Sequence, residues 1–166
     1  MAKAAAQKRQ IQSGDSLPHV TELLTQKIAT LSRALDRQAE GTLAERTDMT
    51  VLESRMLAFV AANGPLSITD LASGMFIDFG QTSRLISRLV NLGYVARTKN
   101  AGDQRSVLLK LSQKGVTAYN RMQRSVLRWN HILMAQLRPE ELHVLADVLP
   151  RLTTFVGNYS RQSRIE

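Results

Sequence analysis

The sequence predicts a mainly α-helical chain with one small β-hairpin, and three observations point there. Apolar residues recur at spacings of three and four over long stretches, as they do along one side of a helix. Residues that start and stop helices punctuate the middle of the chain at short intervals. Residues 94–111 instead alternate apolar and polar positions around a turn-rich centre, the pattern of two paired strands.

Taken in order, residues 1–14 are polar, rich in Ala, Gln and Lys, and read as a flexible tail. From Leu17, the positions Val20, Leu23, Leu24, Ile28, Leu31 and Leu35 predict a first helix to about Glu40, with Gly41 as its stop. Thr50-Val51-Leu52-Glu53 is a capping box, in which the Thr hydroxyl and the Glu carboxylate each satisfy a backbone donor left free at a helix start. The second helix runs through Leu57 and Val60 to Asn63-Gly64-Pro65, where a left-handed C-cap is expected. Ser67 opens a short third helix, with Ile68, Leu71 and Ala72 facing inward and Asp70 near the positive end of its dipole.

A fourth helix is expected from about Gln81 to Leu92, closed by Gly93. At 100° per residue, Thr82, Leu85, Ile86, Leu89 and Leu92 share one side, while Gln81, Arg84, Ser87, Arg88 and Asn91 share the other. Tyr94–Thr98 and Ser106–Leu111 form the hairpin, with Val107, Leu109 and Leu111 on one face and a polar tip from Lys99 to Asp103. Ser112 caps a long fifth helix with the stripe Val116, Tyr119, Met122, Val126, Trp129, Leu133 and Leu137. Arg138-Pro139-Glu140-Glu141 restarts the chain with Pro at the first helical position. The last helix carries Leu142, Leu145, Leu149, Leu152 and Val156, and Pro150 should kink it.

Composition removes several functions. There is no cysteine, hence no disulfide, thiol nucleophile or cysteine-bound zinc. His19, His131 and His143 have no paired metal spacing, and no Gly-rich phosphate loop is present, so neither catalysis, a metal nor a cofactor is expected. No apolar run reaches the roughly 20 residues that cross a bilayer, and the N-terminus lacks a secretory signal, so a cytoplasmic protein without a membrane partner is expected. A net charge of +8 and a pI near 10.4 favour a polyanionic partner. The excess is spread along the whole chain, so local arrangement must carry the functional reading.

Three helices followed by a hairpin within about 60 residues is the order of a winged helix-turn-helix. Such a fold lays one helix in the major groove of double-stranded DNA, where base edges can be told apart, and Gln81, Ser83, Arg84, Ser87 and Arg88 are the residues offered for that reading. Gln81 and Ser83 lie at the helix start, where backbone amides also attract phosphate. On the wing, Lys99 and Arg105 would contact DNA, Arg105 along the minor groove, with Asp103 holding the Arg105 guanidinium by a bidentate contact. Singly, a polar helix face is ordinary solvated surface, and an exposed Asp–Arg pair contributes under about 1 kcal/mol. Their joint order within one pattern gives them functional meaning.

Met49-Thr50, Ser67 to Ala72, Thr82-Ser83-Arg84-Leu85-Ile86, Leu92-Gly93-Tyr94-Val95, Asp103-Gln104-Arg105, and Leu109-Lys110-Leu111-Ser112 with Gly115 resemble the MarR family of bacterial regulators. The resemblance covers about residues 49–115. Asp-x-Arg, followed seven residues later by the hydroxyl that opens the next helix, is its most specific part. Two departures stand out: Ser112 replaces the usual Thr, and the linker Met75-Phe76-Ile77-Asp78-Phe79-Gly80 is unusually apolar, with an acid that would repel phosphate. The resemblance implies a transcriptional regulator, a homodimer on a palindromic operator and a repressor released by a small-molecule effector, aromatic or phenolic. It also implies a bacterial or archaeal, nucleoid-associated setting.

The expected organisation is therefore a tail (1–14), an N-terminal dimerisation helix (15–48), a winged helix-turn-helix DNA-binding domain (49–111) and C-terminal helices completing the dimerisation region (112–166). Apolar stripes beyond what one small head can cover support self-association independently. His19, Tyr119, Trp129 and Arg55 are pocket candidates by residue type, and none is assigned to an effector. The alternative is a winged-helix protein-interaction module without sequence-specific DNA binding; such modules typically lack the basic residues kept here at Arg84, Arg88 and Arg105.

Overall fold

A computed structural model describes residue 19 and residues 23–44, 47–99 and 107–162. Six helices and a two-stranded sheet follow the predicted order: α1 (Leu24–Ala44), α2 (Val51–Asn63), α3 (Ile68–Met75), α4 (Phe79–Asn91), β1 (Val95–Lys99), β2 (Val107–Leu111), α5 (Gln113–Met134) and α6 (Pro139–Gln162). The chain divides into two compact units, one ending at Ala39 and one beginning at Glu40. The first contains most of α1, whose Leu24, Ile28 and Leu31 are exposed. The expected start at Leu17 lies outside the described residues, and the helix does not stop at Gly41, as the sequence had suggested. It starts at Leu24 and passes through Gly41 to Ala44. A single glycine costs a helix only about 1 kcal/mol, and Leu43 beyond it packs against the core of the second unit.

That core belongs to the three-helix head. Met56, Leu57, Leu71, Ile86, Leu89 and Leu109 are fully buried together, each contributing about 1.5–3 kcal/mol through burial. Both helix starts obey local chemistry. Thr50 accepts from the Glu53 amide at 3.3 Å while Glu53 accepts from the Thr50 amide at 2.8 Å, and Ser67 and Asp70 repeat the same reciprocal box. Gly64 differs from expectation: its φ of −74° is extended, not left-handed. The glycine is needed for space, since a Cβ there would lie 2.6 Å from the Val60 carbonyl oxygen.

Helix α4 begins two residues before Gln81 because Asp78 caps it, accepting from the Gln81 amide at 3.1 Å. Thr82, Ile86 and Leu89 are buried, with Leu85 and Leu92 packed beside them. At its end, Gly93 adopts a φ of +77°, the Gly93 amide bonds Val90 O and the Tyr94 amide bonds Leu89 O, both at 2.9 Å. These paired bonds form a Schellman closure. The turn before α4 is less usual: Phe76 takes a left-handed conformation at φ 57°, which costs a residue with a Cβ roughly 1–2 kcal/mol.

In the hairpin, Val95 pairs with Leu111 and Lys99 with Val107. Leu109 is buried and Leu111 half-buried, but Val107 is exposed because its position near the tip lies beyond the core. Leu66 adds a short third pairing, exchanging both backbone hydrogen bonds with Leu109. The predicted wing residues Asp103 and Arg105 lie outside the described residues.

Ser112 caps α5, accepting from the Gly115 amide at 2.9 Å and donating to Gly93 O at 2.5 Å. Gly115 allows the helix to abut Tyr94 O, which a Cβ would approach to 2.0 Å. Met122 is buried, yet Val116 and Val126 of the expected stripe are exposed. Helix α6 runs unbroken through Pro150, with Pro139, Glu140 and Glu141 in its first turn.

Candidate nucleic-acid interface

The amphipathic pattern of α4 fixes what the helix can offer. Its apolar side is consumed by the head, which leaves Gln81, Arg84 and Arg88 exposed and Ser83 and Ser87 half-exposed on the opposite side. Arg84 makes no hydrogen bond or ion pair with any described residue; its guanidinium lies back along the helix toward Gly80. Beside the helix start, the Asp78 carboxylate occupies the Gln81 amide and places negative charge where phosphate attraction had been expected. Lys99 is exposed at the end of β1.

Arg88, one turn beyond Arg84, is bound differently. One guanidinium nitrogen donates to Glu53 Oε2 at 2.5 Å and another to Asp48 O at 2.9 Å. Glu53 is wholly buried, whereas the Arg88 side chain remains 47% exposed. Burial is the largest single influence on the Glu53 carboxyl and pushes its pKa up. The Arg88 hydrogen bond, with those from the Thr50 amide and hydroxyl, outweighs burial and holds it below the ordinary Glu value. The partner effect raises the Arg88 pKa, first through the hydrogen bond and then through the charge of Glu53.

The network continues to the base of the wing. Tyr94 donates its hydroxyl to Asp48 Oδ1 at 2.8 Å, which lowers the Asp48 pKa, while burial and then that bond raise the pKa of Tyr94. Lys114 lies 4.4 Å from the Tyr94 ring centroid and donates to Leu92 O, the C-cap of α4, at 2.7 Å. From β1, Arg97 reaches Ser87 Oγ at 3.0 Å and ties the wing to the helix face. Glu53 was legible in the sequence only as a capping residue, and Asp48, Arg97 and Lys114 not at all as partners of α4. Their contacts join residues far apart in the chain and have no local signature.

A cavity of about 320 Å³ opens between Thr47, Tyr94, Gln113, Lys114, Thr117 and Arg121. It does not include His19, Tyr119, Trp129 or Arg55. The Trp129 indole nitrogen is buried without a hydrogen-bond partner among the described residues. No group of three or more His, Cys, Asp or Glu that could hold a metal occurs among the described residues, and no described helix is long and apolar enough to cross a membrane.

A helix with a buried apolar side and, on the other, an arginine that no described residue pairs, supported by two preceding helices and followed by a basic hairpin, defines a winged helix-turn-helix fold. Residues 47–106 match the model of the MarR family, and the chain resembles curated relatives that include transcriptional regulators. It is 29% identical over 110 residues to the HTH-type transcriptional regulator FarR of Neisseria gonorrhoeae, covering 66% of this chain and 75% of that protein. It is 27% identical over 123 residues to the homoprotocatechuate degradative operon repressor of Escherichia coli, covering 74% and 82% respectively. In fold it is similar to a mutant MarR of E. coli complexed with operator DNA, with a TM-score of 0.72 at 24% identity over 83% of this chain and 99% of the other.

Proposed function

We propose that this chain is a transcriptional regulator of the MarR type, a homodimer that reads a palindromic operator with α4 in the major groove and the hairpin tip along the minor groove. Gln81, Ser83, Arg84 and Ser87 face the bases or their flanking phosphates, and Arg88 contributes from a guanidinium braced by Glu53. Lys99 and Arg105 engage the wing side, with Asp103 orienting Arg105. The observation that carries the reading is Arg84: a cation that no described residue pairs, exposed on a helix whose other side is locked into the head. Similarity to a protein seen with operator DNA supports it. Binding is to chromosomal DNA in the cytoplasm of a bacterium or archaeon.

Repression is the regulatory sense favoured by the homoprotocatechuate repressor's likeness, with release by a small-molecule effector. The cavity beside Tyr94 and Lys114 supports an effector site because its wall is part of the network that holds Arg88. Selection of bound sites from random DNA tests the reading. Two half-sites about one helical turn apart are expected; no enrichment would favour a protein-interaction module instead. Within a selected operator, Arg105→Ala should reduce the magnitude of the salt slope by nearly one unit, and an unchanged slope would remove Arg105 from the interface.

A further inference from the structure

The apolar linker ahead of α4 contains a contact that DNA reading alone does not require. Phe76 holds a left-handed backbone, a conformation suited to glycine and unusual for a bulky residue. Its ring is 58% exposed overall, yet one edge rests on the backbone of α6 at Gly157. A Cβ at position 157 would lie 2.2 Å from Phe76 Cε1 and 2.9 Å from Cζ. Gly157 is buried although its neighbours Phe155 and Val156 are exposed. A glycine inside a helix weakens that helix, and an aromatic residue in a left-handed turn strains the turn. Here the two unfavourable choices meet as ring and notch.

The position of this contact gives it leverage. Only Ile77 separates Phe76 from Asp78, the N-cap of α4. Two residues before Phe76, in the last turn of α3, the Phe59 ring fills the space beside Gly74, where a Cβ would meet it at 2.3 Å. The chain is therefore held by α2 at Gly74 and by α6 at Phe76, and a shift of the Phe76 ring must be absorbed by one intervening residue or passed to the start of α4.

We propose that Phe76, seated in the Gly157 notch, is a positioning residue that sets α4 for operator binding by anchoring its start to α6. The inference rests on the DNA-binding reading above. Through this contact, a helix remote from the base-reading side chains controls how they are presented, making the position of α6 a determinant of operator affinity.

The test is a double-mutant cycle on the full-length protein. Phe76→Gly keeps the left-handed turn and removes the ring; Gly157→Leu fills the notch and leaves the DNA-facing sequence intact, with Gly157→Ala as a milder arm if the leucine variant does not fold. Operator affinity is read by fluorescence anisotropy on a site selected with the wild type, oligomeric state by sedimentation, and motion at the start of α4 by amide exchange of Gln81 and Thr82. Each single variant should weaken binding roughly tenfold, and the double variant should be no weaker than either, as expected when two residues act through one contact. Exchange at Gln81 and Thr82 should accelerate while oligomeric state stays unchanged.

Wild-type affinity in both single variants would overturn the latch. So would multiplied losses in the double variant, or a loss confined to Phe76→Gly, which would mark the ring as a direct DNA contact. If the wild type itself selects no DNA, the binding reading fails first.

Discussion

Helices α4 and α6 are both amphipathic, but water meets them differently. On α4, Thr82, Ile86 and Leu89 are fully buried, and apart from the exposed Phe79 at its start the side left over is polar. On α6, Leu149, Phe155, Val156 and Tyr159 remain 48–67% exposed, with the last aromatic ring stacked on Phe155 at 6.3 Å. The head buries most of its own apolar surface within about sixty residues, with Phe76, Phe79 and Val107 left exposed. Helix α6 carries apolar surface that a single chain does not cover, the condition that favours association with a second copy. One helix is finished by the fold; the other is finished by the proposed assembly.

The strongest way to break that comparison is to charge the exposed side of α6. Phe155→Asp combined with Val156→Asp should convert the proposed micromolar dimer into a monomer in sedimentation while the circular dichroism of the helices persists. Losing the second head removes its effective concentration, so operator affinity should fall about 10²–10⁴-fold. A variant still dimeric at micromolar concentration would show that α6 does not supply the interface through this face.

A smaller effect separates two arginines on the finished helix. Arg84→Ala should change the preferred base at one operator position, with a loss of about 1–3 kcal/mol there, and leave the thermal midpoint unchanged. Arg88→Ala should instead lower the midpoint, because Glu53 would stay buried without its cation, and should weaken binding on all sequences alike. Thermal melts paired with binding to single-base operator variants distinguish the two roles. If Arg88→Ala left stability intact and altered base preference, its brace to Glu53 would not be its main function.

The same contrast explains what the sequence disclosed. Capping boxes at Thr50 and Ser67, the Gly93 closure and the buried side of α4 depend on residues within a few positions of one another, and periodicity reveals them. Arg88 reads identically to Arg84 in that pattern, both polar and basic on one side. Only the fold, which carries Glu53 across 35 positions to Arg88, separates them. Gly64 and Gly157 show the same limit: the sequence marks each as a glycine, but Val60 O and the Phe76 ring give the reason. Phe76 stood out as an apolar oddity in its linker without any local sign of the helix it touches. For the wing, Asp103 and Arg105 remain an expectation from pattern and family resemblance.

The least of these effects, and the one that tests the brace most directly, is on the pH dependence of stability. Glu53 has a folded pKa below its ordinary value of 4.5, so the unfolded chain binds its proton more readily as pH falls. Its ionised pairing contributes stability fully above about pH 4.5 and loses it as pH descends through the folded pKa. Glu53→Gln keeps the size of the side chain but removes this titration. It should cost about 1 kcal/mol near neutral pH, below the roughly 1.5–3 kcal/mol of a hydrogen bond to a charged group because Arg88 is half-exposed and screened by solvent. The difference between wild type and variant in urea unfolding should then narrow below pH 4.5. Asp48, whose carboxylate is likewise favoured in the fold, titrates in both proteins and cancels from that difference. A gap that stayed constant from pH 7 to pH 3 would mean that the variant disturbs packing around α2, and that the ionised Glu53–Arg88 pair does not stabilise the setting of α4.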